Sequence, residues 1–219
     1  MKNIPLIAYI VIGAINVLGH LLDQPDMVRY SKPMLMPALI FFIYHQAQGH
    51  VTKRTMLVVL ALIFSWMGDL ALMKDGENLY FMLGLGAFML AQMTYTFIYY
   101  KSTFQKPEFQ LMPLLPILTF TIFLLAFVLR NAPTEMQIPI VVYAVCITAM
   151  ASMARLRMGL TSNFSFNWVM MGSLLFVISD SAIAVDKWYL PIPYDEVVIM
   201  STYIAAQLLI VMGLSKHPE

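Results

Sequence analysis

The chain of 219 residues is 60% hydrophobic and 11% charged, with a mean hydropathy of +0.76, whereas charged residues make up about 25% of a soluble domain. Thirteen basic against twelve acidic side chains, with no basic run, point away from nucleic acid, and the lone Cys146 excludes an intrachain disulfide. At roughly 20 residues per span, the composition predicts an all-α, polytopic bundle of eight membrane helices, with residues 1–219 forming one integral membrane domain.

The first apolar run, residues 4–22, is too long for a signal-peptide core and is read as span one. Asn16 and His20 lie four residues apart on one of its faces. A polar connection with Asp23, Asp26, Arg29 and Lys32 precedes span two, which is expected to open at Pro33, where a missing N–H is harmless in a first turn, and to run to about residue 48. Span three, 56–73, carries Ser65 and Asp69 on one face. Span four, 79–100, contains Gly84 and Gly86, which permit close helix contact, and Gln92 and Tyr95 as interior polar groups. Span five, 111–129, has threonines able to bond their own helix carbonyls and reads as a scaffold helix. Span six, 138–154, has Tyr143 near its start, and span eight, 197–214, holds Thr202, Tyr203 and Gln207.

Span seven, 168–185, is the anomaly. Asp180 follows eight almost wholly apolar residues and lies about 9 Å inside the far end of such a helix. A carboxyl there costs a few kcal/mol of insertion free energy, and such groups face a bundle interior or a wet cavity. Asp69 in span three repeats the arrangement, and both acids are followed six residues on by a second, Asp75 and Asp186, read as rim charges.

Orientation follows from counting Lys and Arg in alternate connections. Lys2, Lys53, Arg54, Lys101, Lys106, Arg155, Arg157 and Lys216 stand on one side, and Arg29, Lys32, Lys74, Arg130 and Lys187 on the other. The excess places both termini in the cytoplasm. Asp69, Asp180, His20 and Lys32 then approach the opposite face together, with Tyr143, Tyr203 and Gln207 at similar depth, so a polar pocket opening toward that face is expected.

The histidines are scattered over both faces without ligand spacing, so no metal is expected. Nucleophile elbows, phosphate loops and dinucleotide fingerprints are absent, and no cofactor is implied. What remains is a carboxyl pair in a poorly hydrated space. Such a pair divides one proton between its members, which makes an acid and a base.

Six stretches carry a resemblance: SKPMLMPAL, MGDLALM, GLGAFMLAQMTY, VVYAVCITAMASMA, GSLLFVISDSAIAVDKW and TYIAAQLLIVMG. In this order and at this spacing the sequence resembles the YhhN, or lysoplasmalogenase, family of eight-span membrane proteins; Gln92 departs from the pattern, standing where a histidine is expected. The resemblance implies hydrolysis of the vinyl ether bond of lysoplasmalogens to a fatty aldehyde and a glycerophospho-headgroup compound. Asp69 and Asp180 are then the catalytic pair, with the assignment of acid and base open. Lys32 would meet the lipid phosphate, with Asn16, Tyr143, Tyr203 and Gln207 as orienting hydrogen-bonders. The partners are a lysophospholipid and the bilayer, and the small chain with short polar ends is expected in a bacterial inner membrane. A proton-coupled transporter is the rival reading, since buried acids on glycine-containing helices also form proton relays. A lipid-binding scaffold without turnover is a third.

Overall fold

The computed structural model describes residues 4–74 and 78–216. Asp75, expected at the rim, lies outside the described residues. Among these residues there are eight long helices, α1 (Ile4–Leu21), α2 (Pro25–Ala47), α3 (Lys53–Leu72), α4 (Asn78–Lys101), α5 (Leu115–Asn131), α6 (Thr134–Leu156), α7 (Asn163–Trp188) and α8 (Asp195–Ser215), and one short 3-10 turn, Met112–Leu114, but no strand. Seven of them are long and apolar enough to cross a membrane. The chain is an integral, multi-pass membrane protein. α2 is not among the seven, because its apolar stretch, residues 33–44, is hemmed in by Asp26, Arg29 and Lys32 on one side and His45 and Gln46 on the other.

α2 is also where the structure departs most from the expected boundaries. The helix opens at Pro25, not Pro33, so Asp26, Arg29, Ser31 and Lys32 are helical, and Pro33 and Pro37 lie inside the helix. A proline withholds the N–H that would bond the carbonyl four residues back, so Pro37 orphans the carbonyl of Pro33. The Trp66 indole of α3 donates to that oxygen at 2.8 Å. Arg29, whose carbonyl Pro33 orphans, is exposed.

Neighbours in sequence pack as antiparallel pairs, α1 with α2, α3 with α4 and α7 with α8. α8 also touches α1 and α2, and α4 lies against α6. The α7–α8 pair is close because Gly172 of α7 sits on the backbone of α8: a Cβ there would fall 2.8 Å from the Ala206 carbonyl oxygen. Gly84 lies against Leu72 of α3 as expected, whereas Gly86 has no neighbour within 4 Å. α5 packs on α6 and α7 and buries Val128 alone among its residues. Its threonines do bond their own helix, Thr119 to the Leu115 carbonyl and Thr121 to that of Ile117.

The main core is apolar, built from α1, α2, α3, α4, α6, α7 and α8 around Tyr9, Leu39, Leu62, Phe176 and Ile210. At the end of the bundle remote from Asp69, Arg157, just past α6, is wholly buried, stacks over the Tyr99 ring and donates to Ser165 Oγ at 2.7 Å. Burial, assisted by the charge of Arg54, pulls its guanidinium down to about 10.

Candidate active site

Three connected spaces occupy one end of the bundle. The outermost is a vestibule of about 1070 Å³ bordered by His20, Asp26, Arg29, Lys74, Asp195 and Glu196. Lys32 and Leu72 border both it and an inner polar chamber of about 210 Å³, on which Asp69, Asp180 and Tyr203 also open. Beyond the chamber, an apolar groove of about 90 Å³ runs between α4, α5, α6 and α7, walled by Leu85, Leu124, Val128, Ile147 and Val177. Chamber and groove share Phe81, Phe88 and Asp180.

Asp69 and Asp180 therefore face one chamber from α3 and α7, but their surroundings differ. Asp69 opens on the chamber alone, which Lys32 also borders, and the Tyr203 hydroxyl of α8 donates to its Oδ2 at 2.9 Å. Asp180 opens on both chamber and groove. Its Oδ2 accepts two hydrogen bonds, from the Tyr143 hydroxyl of α6 at 2.5 Å and from Gln92 Nε2 of α4 at 3.1 Å. In both residues Oδ1 has no hydrogen-bond partner among the described residues.

Local sequence accounts for these placements. Asp69 and Ser65 share the buried face of α3, and the intervening Gly68 lets the Phe88 ring approach the helix closely, since a Cβ there would come within 2.6 Å of it. Phe88 stands edge-on to both Phe176 and Tyr203, which fixes the floor of the chamber and the tyrosine that serves Asp69. A separate pair of buried hydrogen bonds lies on the same faces: Tyr95 donates to Gln207 Oε1 at 2.7 Å, and Gln207 Nε2 donates to Ser65 Oγ at 2.9 Å.

Of the residues singled out from sequence, Lys32, Asp69, Asp180 and Tyr203 border the chamber, and Tyr143 borders the groove. Gln207 and Asn16 border none of the three spaces; Gln207 ties α8 to α3 and α4, and Asn16 donates to Ser31 Oγ at 3.0 Å, tying α1 to α2. Lys32 is about nine-tenths buried and has no hydrogen bond or ion pair among the described residues. Asp186 borders the chamber and also accepts from the Ile192 N–H at 2.9 Å, closing the turn after α7. Sequence reading missed the partnership of Gln92 with Asp180 and the place of Asp195 and Glu196 in the first turn of α8, where Glu196 comes within 3.8 Å of His20. Acids opening an apolar helix are a usable signal for the second, since carboxylates favour a helix N-terminus.

The profile of the YhhN family matches residues 27–214, which span the chamber, the groove and all four tyrosine and carboxyl partners. The chain belongs to the YhhN family. Among similar proteins, human Lysoplasmalogenase TMEM86B is 31% identical over 226 residues, covering 90% of this chain and 91% of its own length. The rat protein of the same name is 31% identical over 90% of this chain and 77% of its own length. Bovine Lysoplasmalogenase TMEM86A is 31% identical over 74% of this chain and 66% of its own. No solved structure matches the chain. In this YhhN protein the cavities lie between apolar helices that carry exposed large hydrophobic side chains elsewhere on their circumference.

Proposed function

We propose that the chain cleaves the vinyl ether bond of lysoplasmalogens, releasing a fatty aldehyde and a glycerophospho-headgroup compound, through acid/base catalysis by Asp69 and Asp180. Relatives covering nine-tenths of the chain are lysoplasmalogenases, and this chain is an alkenyl ether hydrolase of that type. One observation carries the reading: Asp180 stands where an apolar groove gives way to a polar chamber. In a single-chain vinyl ether lipid the bond to be broken also lies where the tail gives way to the head.

A vinyl ether is hydrolysed by adding a proton to the outer alkene carbon, which leaves an oxocarbenium ion on the carbon bonded to oxygen. Water captures that ion, and the resulting hemiacetal collapses to aldehyde and alcohol. A carboxylic acid supplies the proton and a carboxylate stabilises the cation and activates water. The groove receives the carbons next to the head and leaves the remainder of the tail to the bilayer, so the lipid can enter sideways. Lys32, a buried cation with no hydrogen bond or ion pair among the described residues, is the seat for the phosphate. Tyr143 and Tyr203 orient the carboxyls; Asn16 and Gln207 support the helices that carry Lys32 and Tyr203.

Eight spans with both termini in the cytoplasm would open the vestibule to the far side of the membrane, for which a bacterial inner membrane is our reading. A proton-coupled transporter needs access from both faces, whereas the vestibule, chamber and groove gather at one end. Incubating the purified protein with a lysoplasmalogen should release aldehyde, and the saturated ether lipid of equal length should stay intact. Proton flux in sealed vesicles without aldehyde would support the transporter instead.

A further inference from the structure

We infer that the two carboxyls have fixed and different duties: Asp180, oriented by Gln92 and Tyr143, delivers the proton to the alkene carbon, while Asp69 acts on water from the head side. This rests on the vinyl ether reading above and goes further by dividing the labour and by giving Gln92 a part in it.

The division follows from which space each carboxyl meets. The carbon that takes the proton is the one on the tail side of the double bond, and the carbon that water attacks is the one on the head side. Asp180 borders the groove that holds the tail; Asp69 borders only the chamber, the polar space that can hold water. The hydrogen bonds agree. Gln92 Nε2 and the Tyr143 hydroxyl both donate to Asp180 Oδ2, so that oxygen serves as the carbonyl acceptor and a proton on the carboxyl sits on Oδ1, the oxygen without a partner among the described residues. Two donors on the carbonyl oxygen also stabilise the carboxylate that remains once the proton has left. Asp69 shares the polar chamber with Lys32 and accepts one donor, Tyr203, on Oδ2, so its Oδ1 is left to a water held in that space.

The steps then balance. Asp180 Oδ1–H protonates the outer alkene carbon, and the oxocarbenium ion forms beside the Asp180 and Asp69 carboxylates. Asp69 takes a proton from water as the water oxygen bonds to the head-side carbon. In the collapse, Asp69 returns that proton to the departing glycerol oxygen, and Asp180 recovers one from the hemiacetal hydroxyl. One water is consumed, aldehyde and alcohol leave, and both carboxyls are reset.

Gln92 acts through Asp180 and is a positioning residue. Its amide oxygen is buried without a partner among the described residues. An amide so placed costs free energy, which a function at its other end would justify.

The test uses a second substrate, a mixed acetal of the same lysophospholipid carrying a 4-nitrophenoxy group on the carbon next to the ether oxygen. Loss of nitrophenoxide generates the same oxocarbenium ion with no protonation of carbon. Asp180→Asn should cut vinyl ether cleavage by about a thousandfold yet leave the first-turnover release of nitrophenoxide from the acetal, which precedes collapse, near that of the wild type. Gln92→Leu and Tyr143→Phe should show the same pattern at about ten- to a hundredfold. Asp69→Asn should impair both substrates. Should Asp69→Asn spare the acetal while Asp180→Asn does not, or should both variants fail equally on both substrates, the division is wrong although the carboxyl pair stands. A wild type that leaves the vinyl ether intact removes the functional reading itself and this inference with it.

Discussion

Tyr203 on α8 donates to Asp69 on α3 at 2.9 Å across 134 residues of sequence, and Tyr143 on α6 does the same for Asp180 on α7 across 37. Each carboxyl is thus held by a phenol from a different helix, and the chamber exists only when the bundle is assembled. Tyr203→Phe should lower turnover by about ten- to a hundredfold, the worth of a hydrogen bond to a charged group. Its rings stay packed on Phe88 and Phe176, so thermal unfolding in detergent should change little while kcat falls.

Lys32 is a buried cation without a hydrogen bond or ion pair among the described residues. Such a group weakens the fold, and under the proposed function it is offset by the lipid phosphate. Lys32→Met should leave the melting temperature unchanged or higher and raise KM for a phosphorylated substrate by about tenfold or more, as expected for the loss of a charge-assisted contact. A drop in stability with KM unaltered would show that the side chain serves the helix and not the lipid.

Ala144 borders the groove from α6, one residue past Tyr143. Ala144→Phe should fill the groove that the proposed function gives to the tail. Activity on long-chain lysoplasmalogen should fall about tenfold or more as the lost methylene contacts add up, and a substrate with a very short alkenyl chain should be affected less. Comparing kcat/KM for the two chain lengths reads this out directly.

Trp66 satisfies the Pro33 carbonyl that Pro37 leaves without a helical partner. Trp66→Phe keeps most of the apolar bulk but orphans that oxygen, at a cost of about 1–3 kcal/mol. The expected result is a lower unfolding temperature with kcat per folded molecule preserved. The two prolines of α2 follow directly on Ser31 and Lys32, so a rise in KM alone would point to movement of Lys32.

Apolar runs interrupted by single acids were enough to locate the helices and both carboxyls, because burying a charge in lipid leaves a pattern that composition alone reveals. The start of α2 was harder. Pro25 and Pro33 are both permissible first-turn residues, and the polar stretch between them looks like a connection until Ser31 is seen bonding back to Met27 and out to Asn16. Gln92 could be recognised as interior from its place in span four, but its partner lies 88 residues away on a helix that does not adjoin it in sequence. Periodicity shows which face turns inward and is silent on which face it meets. The groove was equally hidden, being a space left by the loose packing of α5 and not a property of any one segment.

Aldehyde release from a purified lysoplasmalogen by the wild type, Asp69→Asn and Asp180→Asn, each verified as folded by its thermal transition, tests the shared chamber most directly. Both isosteric variants should lose activity by at least about a thousandfold, since each removes one member of an acid/base pair. Wild-type rates in either folded variant would contradict catalysis by the pair.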